Sequence, residues 1–152
     1  LGWQNANLDY VLFLDCDSHF SISDLIKVIC SRQLDTVVIG SRYLKNSKIY
    51  GASFYKVFLS KLLNVFIAKT IGLQVNDMSH SFRIMPNRFI NVHEILTHPG
   101  YFWVLTKKSK KMNFKIIEVS IIFNERKKGV TKNSTLKMIK SVIKSIIVLS
   151  KA

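Results

Sequence analysis

Two carboxylates one residue apart, Asp15 and Asp17 in LDCD, close the apolar run YVLFLD. In an extended chain, residues i and i+2 face the same way, so both acids aim into one space. Like charges placed there repel unless a cation or hydrogen-bond donors intervene. A hard divalent ion, Mg²⁺ or Mn²⁺, itself bound to a diphosphate, would supply that compensation, with Asp15 and Asp17 as its ligands. A polar loop with no ligand is the alternative. His19 follows in the same stretch, where a neutral imidazole can ligate a metal or hydrogen-bond, or can stand as a solvated loop residue.

The other groups with chemistry to offer are cations. Arg42 ends VVIGSR, where a guanidinium can hold a phosphate with two parallel bonds. The loop NERKKGVTK is basic. The chain as a whole carries 23 Lys and Arg against nine Asp and Glu, a formal net charge of +14. Five of those acids fall within residues 1–35, so the remainder is strongly basic and calls for an anionic partner: nucleic acid, phosphorylated substrate or acidic membrane. A Lys- and Ile-rich compositional bias would produce the same imbalance. Cys16 and Cys30 have no metal-ligand spacing and form no disulfide framework, which fits a reducing compartment.

Positioning these groups requires strands that end where the acids stand. YVLFLD is a short buried strand, and SISDLIKVICSR is a helix with apolar Ile22, Leu25, Ile26 and Ile29 and a cap at Ser21 or Ser23. TVVIG is a second buried strand; SRYLKNSKIYG is a loop; SFYKVFLSKLLNVFIAKTIG is a long helix closed by Gly72. LQVNDMSHSFRIMP is loop with room for a short strand, and Pro86 suits the first turn of a helix through about Leu96. Residues 101–112 are helical, KIIEVSIIF is a strand or strand pair, and a final helix starts near Ser134. The β-α-β-α order predicts one α/β domain over residues 1–152 with a mainly parallel sheet flanked by helices. In such sheets ligands bind outside the carboxyl ends of strands, where Asp15 and Asp17 sit. The last helix sets Lys137, Lys140, Lys144 and Lys151 opposite Leu136, Ile139, Ile143, Ile146 and Ile147, an amphipathic pattern suited to an anionic membrane surface or to the domain core. No run reaches the roughly 18 apolar residues that a spanning helix needs.

Five stretches in order, LDCD, TVVIGSRY, GLQVNDMSHSFR, GYFW and KIIEVSIIFNERKKGVTK, resemble glycosyltransferase family 2, in its dolichyl- or polyprenyl-phosphate mannosyltransferase group. The resemblance covers nearly the whole chain and implies a GT-A, Rossmann-like fold, here incomplete at the N-terminus. It implies metal-dependent, inverting transfer of mannose or another hexose from GDP-mannose or UDP-glucose to dolichyl or polyprenyl phosphate, at the cytoplasmic face of a membrane. It makes Asp15 and Asp17 the catalytic and metal-binding acids. Asp15, Asp17, His19, Arg126 and Lys132 then hold the nucleotide sugar and its diphosphate, and Arg42, Lys56 and Ser60 the acceptor phosphate. Cys16 replaces the usual Ala, Lys56 an Arg, and Ser120 a Pro. In NDMSHSFR the pair HS stands where the group has Ser-Gly, so Ser81 occupies the place of a Gly that could adopt positive φ. Arg83 is expected to brace this loop rather than touch substrate.

A polyprenyl phosphate is already an anion near neutral pH, so no general base is needed, and no partnered His or Glu-Asp pair stands out as one. The strand and loop that grip the nucleotide base in this group precede Leu1, so little or no turnover is expected from these 152 residues alone. Two rival functions remain: an inactive relative serving as a membrane-surface scaffold, and a basic nucleic-acid-binding module. The second requires aromatics interleaved with Lys and Arg on an exposed face. The aromatics here lie within apolar runs, so nucleic acid is not expected as a partner.

Overall fold

A computed structural model describes residues 7–15, 20–89 and 101–125. Asp17, His19, Arg126, Lys132 and the final helix of the sequence-based reading lie outside these described residues. In chain order the elements are β1 (Tyr10–Phe13), α1 (Ile22–Cys30), β2 (Thr36–Ser41), β3 (Lys48–Tyr50), α2 (Phe54–Thr70), β4 (Arg83–Pro86), α3 (Tyr101–Lys111), β5 (Lys115–Ser120) and β6 (Ile122–Asn124). A 3₁₀ turn, Asn87–Phe89, follows β4.

The main sheet has the order β1-β4-β2-β5. β2 and β5 are parallel, in register from Thr36↔Lys115 to Ser41↔Ser120. β4 runs antiparallel to both β1 and β2. The expectation of a mainly parallel sheet is therefore corrected to a mixed one. Three strands share a direction, but β4 lies between two of them and makes two of the three ladders antiparallel. A second expectation also changes: Pro86 ends β4 opposite Tyr10 instead of opening a helix. A proline costs little at a strand end, where its missing N–H interrupts no further ladder.

β2 is buried along its whole length because it is covered on both faces. Side chains alternate across a strand. Val37 and Ile39 therefore pack with Ile67 and Ala68 of α2 and Phe102–Leu105 of α3, while Val38 packs with Val28 of α1, Phe82, Ile84 and Ile121. Helices thus lie on both sides, α1 on one and α2 with α3 on the other. A separate two-stranded parallel piece, β3 with β6, follows from the turn after β2. The sequence shows it poorly, since β3 is three residues with its two ends exposed.

α1 starts on a reciprocal cap. Ser21 Oγ accepts from the Asp24 backbone N–H at 3.1 Å and donates to Asp24 Oδ2 at 2.8 Å. Asp24 is buried and also accepts from Lys27 Nζ and from the Ile122 N–H, which ties the helix start to β6 across 98 residues. Burial alone would raise its pKa, but these bonds outweigh burial and hold the carboxyl below its usual value.

Candidate functional site

The strand directions decide which loops meet. The carboxyl ends of β1, β2 and β5 reach one edge of the sheet, and antiparallel β4 brings its amino end there. That delivers Asp15 after β1, Arg42 after β2 and the loop 77–82 before β4 to one place. A cleft of about 350 Å³ opens between them, within the range of small-molecule sites. Asp15, Arg42, Ser60, Ser79, His80 and Ser81 line it, with Phe102, Phe123, Asn124 and Glu125 completing the wall.

Asp15 is exposed to the cleft, and its Oδ2 accepts from Ser81 Oγ at 2.5 Å. Ser81, in the place of a Gly, is not among the positive-φ residues, so its side chain fits the turn and its hydroxyl holds the carboxylate. Among the described residues no group of three potential metal ligands occurs, and Asp15 offers a single carboxylate on the open cleft.

Arg42 is placed differently from expectation. Its Nε donates to Asp77 Oδ2 at 2.7 Å and its Nη2 to Asp77 Oδ1 at 2.8 Å, a fork-to-fork pair closed by the Arg42 N–H at 3.0 Å. The geometry expected to hold a phosphate is used on the chain's own carboxylate, leaving Nη1 outside the pair. Asp77 is fully buried; burial raises its pKa, but the Arg42 bonds prevail and keep it ionised. Burial likewise opposes the Arg42 charge, and Asp77 restores it. Glu118 on β5 anchors this loop by accepting from the N–H groups of Asn76 and Asp77, both at 2.9 Å.

Ser60 lines the cleft and accepts from Tyr43 Oη at 2.7 Å, whereas Lys56 is exposed on α2 and is not among the lining residues. The structure thus brings together Asp15, Arg42 and Ser60, and leaves Lys56 outside.

Arg83 is the brace expected of it. It is fully buried, and all its donors are used: Nε and Nη2 on the His80 carbonyl, Nη2 on Met78 O, Nη1 on Phe102 O and Thr106 Oγ1. Its guanidinium lies over the Phe102 ring, 4.4 Å from the centroid. Burial pulls its pKa down to about 9, so it remains a cation at neutral pH.

Sequence reasoning missed His80. Its Nδ1 lies 2.6 Å from Gly40 O, and Phe20, Phe82 and Phe123 surround the ring. Burial pushes its pKa down to about 4, against the opposing pull of Asp77. A lone histidine in a loop motif carries no local signal of such a setting. The Arg42–Asp77 pair is equally silent, because its partners are 35 residues apart.

No family model matches this chain. Its sequence is similar to the polyprenol monophosphomannose synthase of Mycolicibacterium smegmatis (strain ATCC 700084 / mc(2)155), 28% identical over 114 residues. That match covers 68% of this chain and 43% of the relative, so the chain spans less than half of the relative's length.

Proposed function

We propose that the protein transfers a hexose, mannose by preference, from a nucleotide sugar to a polyprenyl or dolichyl phosphate at a membrane surface. One observation carries this: a cleft at the carboxyl ends of the sheet joins the Asp15 carboxylate to Ser60 of a helix that exposes an apolar side. Phe54, Tyr55, Phe58, Leu62 and Phe66 of α2 are all more than half exposed, which suits an acceptor with a hydrocarbon tail. The likeness to a polyprenol monophosphomannose synthase supports the same chemistry.

Asp15, with Asp17, would hold a Mg²⁺ or Mn²⁺ ion, which when bound neutralises a departing diphosphate as a Lewis acid. Ser81 orients the Asp15 carboxylate for that task. Arg42 and Asp77 form a neutral pair that fixes the wall of the cleft. Arg126 and Lys132 would supply positive charge for the diphosphate, and Ser60, on the cleft wall, would meet the acceptor phosphate. The acceptor needs no base, and the work left to the protein is to hold two anions in line.

The α2 face also gives the nucleic-acid alternative its one support, because Lys56, Lys61 and Lys69 are interleaved with the exposed aromatics. Leu59 and Leu62 on the same face favour lipid over bases. The deciding assay offers GDP-mannose and UDP-glucose in turn to the protein in membranes, with polyprenyl phosphate and Mn²⁺. A sugar lipid is expected with one donor, and Asp17→Asn abolishes it. No sugar lipid from either donor sinks the proposal, and a salt-sensitive shift of labelled RNA in its place points to the rival.

A further inference from the structure

We infer that Nε2 of His80 is a built hydrogen-bond acceptor for a hydroxyl of the transferred hexose, which makes His80 a specificity-determining residue of the cleft. The inference rests on the transferase proposal above and deepens it.

The tautomer follows from geometry. A backbone carbonyl only accepts, so the 2.6 Å contact with Gly40 O places the proton on Nδ1. In the neutral ring Nε2 then holds a bare lone pair, directed away from β2. That atom is buried, and no partner for it occurs among the described residues, although His80 lines the cleft. Buried polar atoms are nearly always paired, so an orphan on a residue that lines a cleft calls for a ligand group that completes it. Its neutrality has a physical basis. Phe20, Phe82 and Phe123 exclude water from the ring, and the charged neighbours act in both directions: Asp77 favours protonation, Arg42 and Arg83 oppose it. A pKa near 4 also makes the ring too weak a base to take a proton from the acceptor.

The rest of the lining selects the kind of group. Asp15 and Glu125 bring negative charge, and the lining cation Arg42 is already paired with Asp77. A phosphate brought to Nε2 would meet a lone pair and two carboxylates. A neutral alcohol meets an acceptor instead, with the Ser60 and Ser79 hydroxyls beside it and the apolar rings of Phe102 and Phe123 to cover its C–H surface. That is the surface of a hexose. The resembling motif has Ser-Gly where this chain has His80-Ser81, so the acceptor comes from this chain's own residues.

The test compares GDP-mannose with GDP, and UDP-glucose with UDP, as ligands of the protein in membranes. For the donor that supports transfer, His80→Phe should lose affinity for the nucleotide sugar by about tenfold while affinity for the bare nucleotide is unchanged. His80→Gln, whose side-chain carbonyl can accept, should recover part of it. In the wild type with ¹⁵N-labelled histidine, the His80 Nε2 resonance should move on addition of the nucleotide sugar and not of the nucleotide. This second measurement decides the matter if His80→Phe does not fold. An unchanged affinity ratio in folded His80→Phe, or an unmoved Nε2 resonance, overturns the inference alone. Absence of sugar lipid from both donors overturns the transferase proposal, and this inference with it.

Discussion

At the scale of single residues, burial decides between structural and chemical roles. Arg83 spends every N–H on its own chain, so Arg83→Leu should strand several carbonyls and cost on the order of 3 kcal/mol or more. Chemical denaturation measures that loss; a folded Arg83→Leu protein that lacks only activity would contradict it. His80 imposes a pH dependence. Its folded pKa, about 4, lies below the unfolded value of 6.5, so between the two the unfolded chain binds a proton that the native chain refuses. Its contribution is complete above pH 6.5 and falls away toward pH 4, by roughly 3 kcal/mol in all. Asp77, held low, extends the loss to more acid pH. Denaturation midpoints across this window should flatten in His80→Gln; an unchanged slope rules the assignment out. Residue type and strand-end position, which are local facts, marked Asp15 and Arg42, and the family resemblance marked Ser60; all three line the cleft. It could not show that Arg42 meets Asp77 or that Ser81 meets Asp15, since those encounters depend on sheet order.

At the scale of elements, periodic apolar patterns were readable and short pairings were not. α1, β2, α2, α3 and β5 fall where runs and helical spacing place them. β3 and β6 pair through three residues each, too few to carry a period. Proline was misread at Pro86, because it is compatible with both a helix start and a strand end. The Ser21–Asp24 cap predicts a graded result. Ser21→Ala should cost about 1 kcal/mol, and Asp24→Ala about 2 kcal/mol or more, because Asp24 also holds the Ile122 N–H. Equal effects from the two substitutions would show that the link to β6 contributes nothing. Gly40 marks a second element contact: a Cβ there would lie 2.8 Å from Phe82 Cδ1 and 3.2 Å from Ile121. Gly40→Ala should therefore lower the melting temperature and disturb the Gly40 carbonyl that orients His80.

At the scale of the molecule, the unbalanced feature is the outer side of α2. Phe54, Phe58, Leu62 and Phe66 recur every fourth residue as an exposed stripe. Replacing Phe54, Phe58 and Phe66 together by Ser should leave stability nearly unchanged, while co-sedimentation with vesicles of anionic lipid and polyprenyl phosphate falls by an order of magnitude or so. Undiminished binding would remove α2 from the lipid-facing surface. The sequence showed an apolar helix here, but not that the core would cover only one side of it. Strand β4 has a consequence of another kind, for the order in which the chain is made. β1 and β2 leave the ribosome before β4, yet they are not neighbours and must wait for residues 83–86 to come between them. Until then two apolar strands keep open edges, and Asp15, Gly40 and Arg42 lack the partners that shape the cleft. The cleft thus takes shape only once β4 has been made, and the interval before β4 emerges is when misassembly competes most strongly with folding.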